Sequence, residues 1–220
     1  MNIAIDGPAG AGKSTIAKKV ASDIGYVYVD TGAIYRTLAL ACIRKGITAD
    51  DERNVCDICK NTKVDIKYVD GEQIMLLDGE NVNAYIRSED VSRMTSSISV
   101  YKEVREQLID LQRYIAEKEN VIMDGRDIGT FVLPNAEVKI YLNASVETRA
   151  KRRYLEQKDK GVECSLEDIE KDIKERDYRD MHRDIAPLRK ADDAVEVDTS
   201  SMTIDEVVMK IKDIIKEKAE

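Results

Sequence analysis

The sequence predicts an α/β protein: a three-layer, doubly wound parallel sheet with helices on both faces. Short apolar runs such as "NIAI", "YVYV" and "VKIYLN" have the length of buried strands, and segments with helical spacing separate them. A glycine-rich turn joins the first run to the first helical segment. Because parallel neighbours need a long crossover connection, this alternation of strand and helix indicates a parallel sheet.

The first half of the chain continues this pattern and then interrupts it. After "STIAKKVASDI" as a helix and "YVYV" as a strand, "AIYRTLALACIRKG" and "DERNVCDICK" have helical spacing. The period changes to two in "KVDIKYVDGEQIMLLDGENV", where Asp70-Gly71 is typical of a hairpin turn. The sequence therefore predicts a small β-hairpin insert from about Lys63 to Val82.

The second half returns to alternating helices and strands. Helical spacing resumes at about Ser88 and ends before the strand-like "VIMDGRD" and "VKIYLN". A long charged helical region begins at Ser145, and "DAVEVD" is the last predicted strand. The closing helix is expected to begin at a capping box formed by Thr203 and Glu206.

The charge balance restricts the partners of the chain. Its 35 Lys and Arg against 43 Asp and Glu give a net charge of -8, the wrong sign for a general nucleic-acid binder. The sequence contains no apolar run long enough to cross a bilayer, and a strand-like run takes the place of a charged leader. We therefore expect a cytoplasmic protein that binds neither nucleic acid nor membrane.

The cysteines and the single histidine are not expected to carry chemistry. Four cysteines are too few and too scattered for a disulfide scaffold in a chain of 220 residues. Cys56 and Cys59 form one C-x-x-C without a second pair or a suitably spaced histidine, which predicts two buried thiols on a helix. His182 is expected to be a neutral surface side chain.

The segment "GPAGAGKST" matches the phosphate-loop pattern G-x-x-x-x-G-K-[ST], with a strand before it and a helix after it. Such a loop turns its backbone N–H groups toward phosphate, and Lys13 would reach the β and γ phosphates of a nucleotide. Ser14 and Asp124 are the candidate Mg²⁺ residues. The residues predicted to hold the nucleotide are Gly7, Pro8, Ala9, Gly10, Ala11, Gly12, Lys13, Ser14 and Thr15.

Arginines predict a second anion site for a phosphate acceptor. The sequence lacks the Asn-Lys-x-Asp motif of a GTPase, and transfer to a small acceptor requires such a site and the exclusion of water. Arg126 follows a predicted strand at the edge where open α/β sheets bind ligands. The other candidate arginines are Arg36, Arg105, Arg149, Arg152, Arg153, Arg176 and Arg183.

The segments "DGPAGAGKST", "DTGAIYR", "DGRDIGT", "KIYLNAS" and "ERDYRD" with "APL" resemble the bacterial cytidylate kinases, a family of nucleoside monophosphate kinases, nearly end to end. The phosphate loop is common to many NTPases, whereas "DTGAIYR" and "DGRDIGT" are much more specific to this family. The resemblance implies a monomer that transfers the γ-phosphate of MgATP to CMP, with dCMP as second acceptor. It also implies catalytic roles for Lys13, Arg126 and Arg183.

The resemblance assigns further roles residue by residue. The residues that match acceptor-holding positions of the family are Thr31, Tyr35, Arg36 and Arg126. Those that match base-reading positions are Ser96, Arg105 and Asp127, where the carboxylate can accept from the exocyclic amine of cytosine. The positions for ribose and phosphate correspond to Arg176, Asp180 and Arg183, and the arginines of the mobile lid over ATP to Arg149, Arg152 and Arg153.

The resemblance also predicts how a single kinase domain of residues 1–220 is organised. The core would comprise 1–30, 120–145 and 190–220, the monophosphate-binding region with its insert 31–119, and the helical lid with the following helix 146–189. Two alternatives stay open: a nucleotide-binding regulator whose arginines contact a partner or RNA, and a kinase of the same architecture with another small acceptor. ADP release measured with a panel of acceptors separates the three.

Overall fold

The computed structural model describes residues 1–159 and 161–219, and it contains the five-stranded parallel sheet that the sequence predicts. A second, antiparallel sheet of three strands forms the insert. In chain order the strands are β1 (Asn2–Asp6), β2 (Val27–Asp30), β3 (Val64–Val69), β4 (Glu72–Leu77), β5 (Glu80–Asn81), β6 (Val121–Gly125), β7 (Val138–Asn143) and β8 (Val195–Asp198).

Helices connect these strands where the spacing of apolar residues predicts them. A short π-helical segment, Ile128–Val132, follows β6 and was not predicted. The α-helices are α1 (Lys13–Ile24), α2 (Thr31–Arg44), α3 (Glu52–Asn61), α4 (Glu89–Ile98), α5 (Lys102–Lys118), α6 (Val146–Asp159), α7 (Leu166–His182) and α8 (Ile204–Ala219).

The strand order of the larger sheet is β2-β6-β1-β7-β8. Ile3 of β1 lies opposite Val138 of β7, and Ile140 of β7 lies opposite Val195 of β8. Because these strands are parallel, their carboxyl ends lie at one edge of the sheet, where ligands of open α/β sheets bind. The glycine loop follows β1 at this edge, and Arg126 follows β6.

The chain packs as two compact units, Met1–Tyr26 with Ile122–Glu220, called here the phosphate-loop unit, and Val27–Val121, called the insert unit. In the phosphate-loop unit, consecutive apolar side chains are buried in the middle of both strands, Ile3, Ala4 and Ile5 in β1 and Ile140, Tyr141 and Leu142 in β7, as expected for strands covered on both faces. Helices α1 and α8 pack against each other, α1 against β1 and α8 against β7.

The insert contains the predicted hairpin and one further strand. Asp70 and Gly71 both have positive φ, 51° and 78°, as the turn between β3 and β4 requires. Asp78 and Gly79 repeat this geometry, with φ of 50° and 89°, between β4 and β5. The same dipeptide therefore makes both turns, although only the first was predicted.

Several helix starts follow sequence signals. At the start of α8, the Thr203 amide donates to Glu206 at 2.7 Å and the Glu206 amide donates to Thr203 Oγ1 at 3.3 Å, which confirms the capping box. Ser88 and Ser165 cap α4 and α7 by accepting from backbone N–H groups. Within the described residues, no helix combines the length and apolar character needed to cross a membrane.

Candidate active site

The glycine loop between β1 and α1 has the shape of a phosphate cradle. Three of its glycines have positive φ values, 149° at Gly7, 78° at Gly10 and 88° at Gly12, which residues with a Cβ rarely adopt. A Cβ on Gly7 would lie 1.9 Å from the Leu142 carbonyl oxygen, so the loop approaches β7 more closely than any other residue type would allow. The N-terminal end of α1, which favours anions, follows directly.

Lys13 is held inside this loop. Its side chain is 6% exposed, and its Nζ donates to the Pro8 carbonyl oxygen at 2.8 Å. Burial, and then the positive charge of Arg126, lower the pKa of Lys13 well below its ordinary value, while the Asp124 carboxylate opposes this shift. The lysine and the arginine predicted to bind phosphate therefore interact electrostatically in a desolvated region. An anion placed there would stabilise both cations.

The two residues predicted to hold Mg²⁺ lie next to each other. Ser14 Oγ donates to Asp124 Oδ2 at 2.8 Å, and Asp124 is buried near the end of β6. A hydroxyl and a carboxylate are hard oxygen ligands of the kind that Mg²⁺ prefers. The donor set therefore fits the ion, and metal binding itself stays a prediction.

Arg126 leaves the end of β6 and pairs with α7. Its Nε donates to Asp180 Oδ2 at 2.8 Å. Burial opposes ionisation of Asp180, but the Arg126 and Arg176 guanidinium groups outweigh burial and lower the pKa of this carboxyl below its usual value. Asp180 is thus an ionised buried partner that holds Arg126 in place. The structure brings together Arg126, Arg176 and Asp180, and their contacts with an acceptor stay predictions.

Asp127 and Arg183 form a second buried pair. Arg183 Nη2 donates to Asp127 Oδ1 at 3.1 Å, and Arg183 Nε donates to the Ala186 carbonyl oxygen at 2.6 Å. Each side chain is less than 10% exposed. The predicted base reader is therefore oriented by an arginine that was predicted to serve the ribose and phosphate. The contact of Asp127 with a base and that of Arg183 with ribose and phosphate stay predictions.

The three arginines predicted for the lid lie on α6 and have different surroundings. Arg149 is buried and donates to the Ala9 and Ala144 carbonyl oxygens at 2.9 Å, and it pairs with Asp177 at 2.7 Å. Arg152 donates to the Thr199 carbonyl oxygen at 2.6 Å, and the Arg153 side chain is half-buried. Arg149 thus fixes the glycine loop to α6 and α7, a contact that the sequence did not indicate. Binding of ATP by these arginines stays a prediction.

The insert unit holds the other residues predicted to bind the acceptor. Thr31 begins α2, where the Asp30 side chain caps the helix by accepting from the Ala33 amide at 2.9 Å. Arg36 lies on the second turn of α2 and forms a 3.6 Å ion pair with Asp30, and among the described residues its Nη1 has no hydrogen-bond partner. Arg87, which was not among the candidates, pairs with the same carboxylate at 2.9 Å. The Arg36 guanidinium therefore keeps capacity for a phosphate.

Tyr35, Ser96 and Arg105 complete the predicted set in this unit. The Arg105 side chain is 1% exposed, and its guanidinium carbon lies 5.7 Å from the centre of the Tyr35 ring. Arg105 also donates to the Ser99 carbonyl oxygen at 3.2 Å. Within residues 1–159 and 161–219, the buried Ser96 hydroxyl has no hydrogen-bond partner. A buried hydroxyl of this kind fits a residue that contacts a bound base.

The remaining sequence predictions concern sulfur and histidine. Cys56 and Cys59 are buried on α3, as predicted, and burial raises the pKa of the Cys59 thiol to about 12. His182 lies exposed on the last turn of α7 with its ring stacked 4.0 Å from that of Tyr178. Its position on the surface is as predicted.

Sequence reasoning missed three buried carboxylates that position these groups, namely Asp6, Asp30 and Asp177. Asp30 and Asp177 hold arginines, and Asp6 accepts from two backbone amides after Asp127. The sequence did contain a signal for Asp6 and Asp30. Each is the last residue of a strand of the parallel sheet, and the carboxyl ends of such strands are where ligands bind; Asp124 was predicted from a similar position. For Asp177, on a charged helix, the sequence carried no such signal.

Comparisons with known proteins agree with this geometry. A family model described as cytidylate kinase matches residues 3–217. Proteins named cytidylate kinase from Lactobacillus johnsonii and Caldicellulosiruptor bescii are each 50% identical, over 99% and 97% of this chain and 95% of each relative. A solved uncharacterized protein from Eubacterium ventriosum has a TM-score of 0.51 at 15% identity, covering 97% of this chain and 98% of its own, and supports the fold alone. The chain belongs to the cytidylate kinase family.

Proposed function

We propose that this chain transfers the γ-phosphoryl group of MgATP to CMP, with dCMP as second acceptor, giving ADP and CDP or dCDP. One observation carries the proposal: the loop that holds Lys13 follows β1 and Arg126 follows β6, at the same edge of one parallel sheet, in a chain half identical to named cytidylate kinases. A donor loop and an acceptor arginine at one sheet edge support transfer between two bound nucleotides. We expect a cytoplasmic monomer.

The donor side follows from the glycine loop. Its backbone and Lys13 would hold the β and γ phosphates, while Arg149 keeps the loop fixed through its hydrogen bond to Ala9. Ser14 and Asp124 would hold Mg²⁺, which would neutralise charge on the phosphate oxygens when bound. These residues position the γ-phosphorus and stabilise negative charge around it.

The transfer step itself requires no general base. An oxygen of the CMP phosphate forms a bond to the γ-phosphorus as the bond from that phosphorus to the β,γ-bridging oxygen breaks, and ADP leaves. The attacking oxygen is already anionic, so no proton has to be removed. Lys13, Arg126 and Arg183 would stabilise the transferring group, which agrees with the exposed position of His182.

The acceptor assignments keep the roles that the resemblance implied. Arg36 and Arg126 suit the acceptor phosphate because a guanidinium binds two phosphate oxygens at once. Asp127 suits the amine of cytosine, and Ser96 and Arg105 suit its O2 and N3 edge. The remaining proposed contacts, to the nucleotide, ribose and phosphate, come from Thr31, Tyr35, Arg176, Asp180 and Arg183.

Substitution of Asp127 by Asn is expected to narrow the preference for CMP over UMP. An amide can donate to the uracil carbonyl, whereas the carboxylate can only accept. Because leaving one buried polar group unpaired costs about 1–3 kcal/mol, we expect the ratio of kcat/KM for CMP to that for UMP to fall by roughly 10- to 100-fold.

The measurement compares both acceptors at saturating MgATP, with the fold checked by circular dichroism. Asp184→Asn is the matched control, because it makes the same change at an exposed carboxylate close in sequence to Arg183. An unchanged CMP to UMP ratio in folded Asp127→Asn would mean that Asp127 does not read the base. The loss of its pair with Arg183 would then appear as an equal decrease for both acceptors.

The proposed function is tested by coupled release of ADP with CMP, dCMP, UMP, AMP and shikimate offered separately. Strong preference for CMP is the expected result. Activity with a different acceptor would establish a kinase of the same architecture and refute the cytidylate assignment. ATP hydrolysis that is indifferent to every acceptor would instead favour a nucleotide-binding regulator.

A further inference from the structure

Asp6 links the start of the phosphate loop to the backbone after Asp127. It is the last residue of β1, directly before Gly7, and it is 5% exposed. Its Oδ1 accepts from the Ile128 amide at 2.8 Å, and its Oδ2 accepts from the Gly129 amide at 2.7 Å. Each carboxylate oxygen therefore binds one N–H group of adjacent residues.

These two amides begin the π-helical segment Ile128–Val132. The first N–H groups of a helix have no partner within the helix, and a side chain or ligand must satisfy them. Asp127, at the cap position, instead accepts from Arg183. Asp6 therefore caps this segment from another strand of the sheet.

The contact is close on both sides. A Cβ on Gly129 would lie 3.4 Å from Asp6 Oδ2 and 3.2 Å from Lys139 Cδ, so the segment is packed tightly between β1 and β7. Arg126 and Asp127 are the two residues immediately before the segment. A shift of the Ile128 and Gly129 amides would therefore move the backbone that carries both side chains.

The charge of Asp6 depends on pH near neutrality. Burial raises its pKa to about 7, although the Gly129 and Ile128 hydrogen bonds oppose this shift; Asp127 raises the pKa and Lys13 lowers it. On β7, Tyr141 interacts electrostatically with Asp6, and Lys139 packs against Gly129. The ionised carboxylate accepts a strong hydrogen bond from each of the two amides, whereas protonation of one oxygen weakens the hydrogen bond to that oxygen.

We infer that Asp6 is a positioning residue for phosphoryl transfer. Its paired hydrogen bonds to Ile128 and Gly129 hold Arg126 and Asp127 in register with the phosphate loop that begins at Gly7. The inference rests on the proposed function, because it assigns Arg126 and Asp127 to the acceptor. In this role Asp6 acts on the reaction through Arg126 and Asp127 and does not itself contact the substrate.

Asp6→Asn tests this inference with little change in shape. The amide oxygen can accept from one backbone N–H, but the amide nitrogen meets the other as a second donor. Because displacement of about 1 Å can cost roughly 100-fold in rate, we expect kcat/KM for CMP to fall roughly 10- to 100-fold. The KM for ATP should stay within about two-fold, because Lys13 and its loop are retained.

The pH profile separates positioning from a general loss of folded protein. The ratio of wild-type to Asp6→Asn kcat/KM should rise from about pH 6 to about pH 8, as Asp6 ionises in the wild type only. The CMP phosphate also titrates in this range, but it does so equally for both proteins, so its effect cancels in the ratio of their kcat/KM values. The folded state raises the pKa of Asp6, so its contribution to stability is full below its unfolded pKa of about 4, falls as pH rises from about 4 to about 7, and changes no further above that. Asp6→Asn should therefore gain stability relative to wild type over that range.

A second variant and a control complete the experiment. Asp6→Glu keeps the charge but displaces both oxygens by one methylene, so its kcat/KM for CMP is also expected to fall. Asp23→Asn, at the far end of α1, loses a 2.8 Å pair with Lys212 and should behave as wild type. Wild-type kcat/KM in either folded Asp6 variant, or a loss explained entirely by unfolded protein, overturns the inference. Failure of the wild type to use CMP refutes the proposed function instead, and the comparison is then made with the acceptor it does use.

Discussion

Lys13→Met is expected to leave a folded protein that transfers almost no phosphate. The lysine is buried in the glycine loop, and we assign it to the β and γ phosphates, where negative charge must be stabilised during transfer. Removal of one such charge-assisted contact in a desolvated site costs on the order of 10²–10³-fold in kcat. We expect at least this loss.

The fold should tolerate the change. Burial and the nearby Arg126 charge lower the pKa of Lys13, so the folded state disfavours the charged lysine, and an unbranched apolar side chain of similar length removes that cost. The free energy of unfolding at neutral pH is therefore expected to stay level or rise. Chemical denaturation and coupled ADP release on the same preparation measure both quantities.

Lys19→Met is the matched control for this prediction. Lys19 lies on the same helix, is exposed, and pairs with Asp205 at the surface. Its substitution should leave turnover unchanged, because exposed ion pairs contribute little. Turnover of folded Lys13→Met close to that of Lys19→Met would refute the assignment of the phosphate loop.

Signals between neighbouring residues predicted much of the fold. The Asp70-Gly71 turn and the Thr203 and Glu206 capping box are encoded within two to four residues, and both were found where predicted. The second Asp78-Gly79 turn carries the same signal, and it was missed because β5 has only two residues. A strand this short has no alternating pattern to read.

The sequence predicted only those groups of the candidate site that lie at or near the ends of predicted strands. Ser14 and Asp124 were expected together because a phosphate loop and the end of a neighbouring strand share one edge of a parallel sheet. The bond from the Ile128 amide to Asp6 joins residues 122 positions apart, and nothing local to either residue indicates it. The Arg149 and Asp177 pair has the same origin, since helix packing creates it. Residue types and spacing thus supplied the candidate groups, and only the fold showed what orients them.

Arg126→Ala is expected to damage use of the acceptor far more than binding of ATP. The guanidinium lies beyond β6, where Asp180 holds its Nε, and the two Nη groups are the part we assign to the acceptor phosphate. Loss of this cation should lower kcat/KM for CMP by on the order of 10²–10³-fold. The KM for ATP should change by no more than about three-fold, because Arg149, which is retained, supplies a hydrogen bond from α6 to the glycine loop.

Two further variants separate the charge of Arg126 from its placement. Arg126→Lys keeps the charge but lacks the planar fork, so it should recover only part of the lost activity. Asp180→Asn keeps the arginine but weakens the ion pair at 2.8 Å, and it should raise the KM for CMP more than it lowers kcat. Removing the positive charge should also raise the pKa of Lys13, because Arg126 is the second largest cause of its lowering, after burial. If Arg126→Ala leaves CMP kinetics unchanged while ATP affinity collapses, Arg126 belongs to the donor side, and the second anion site must be sought among the other arginines.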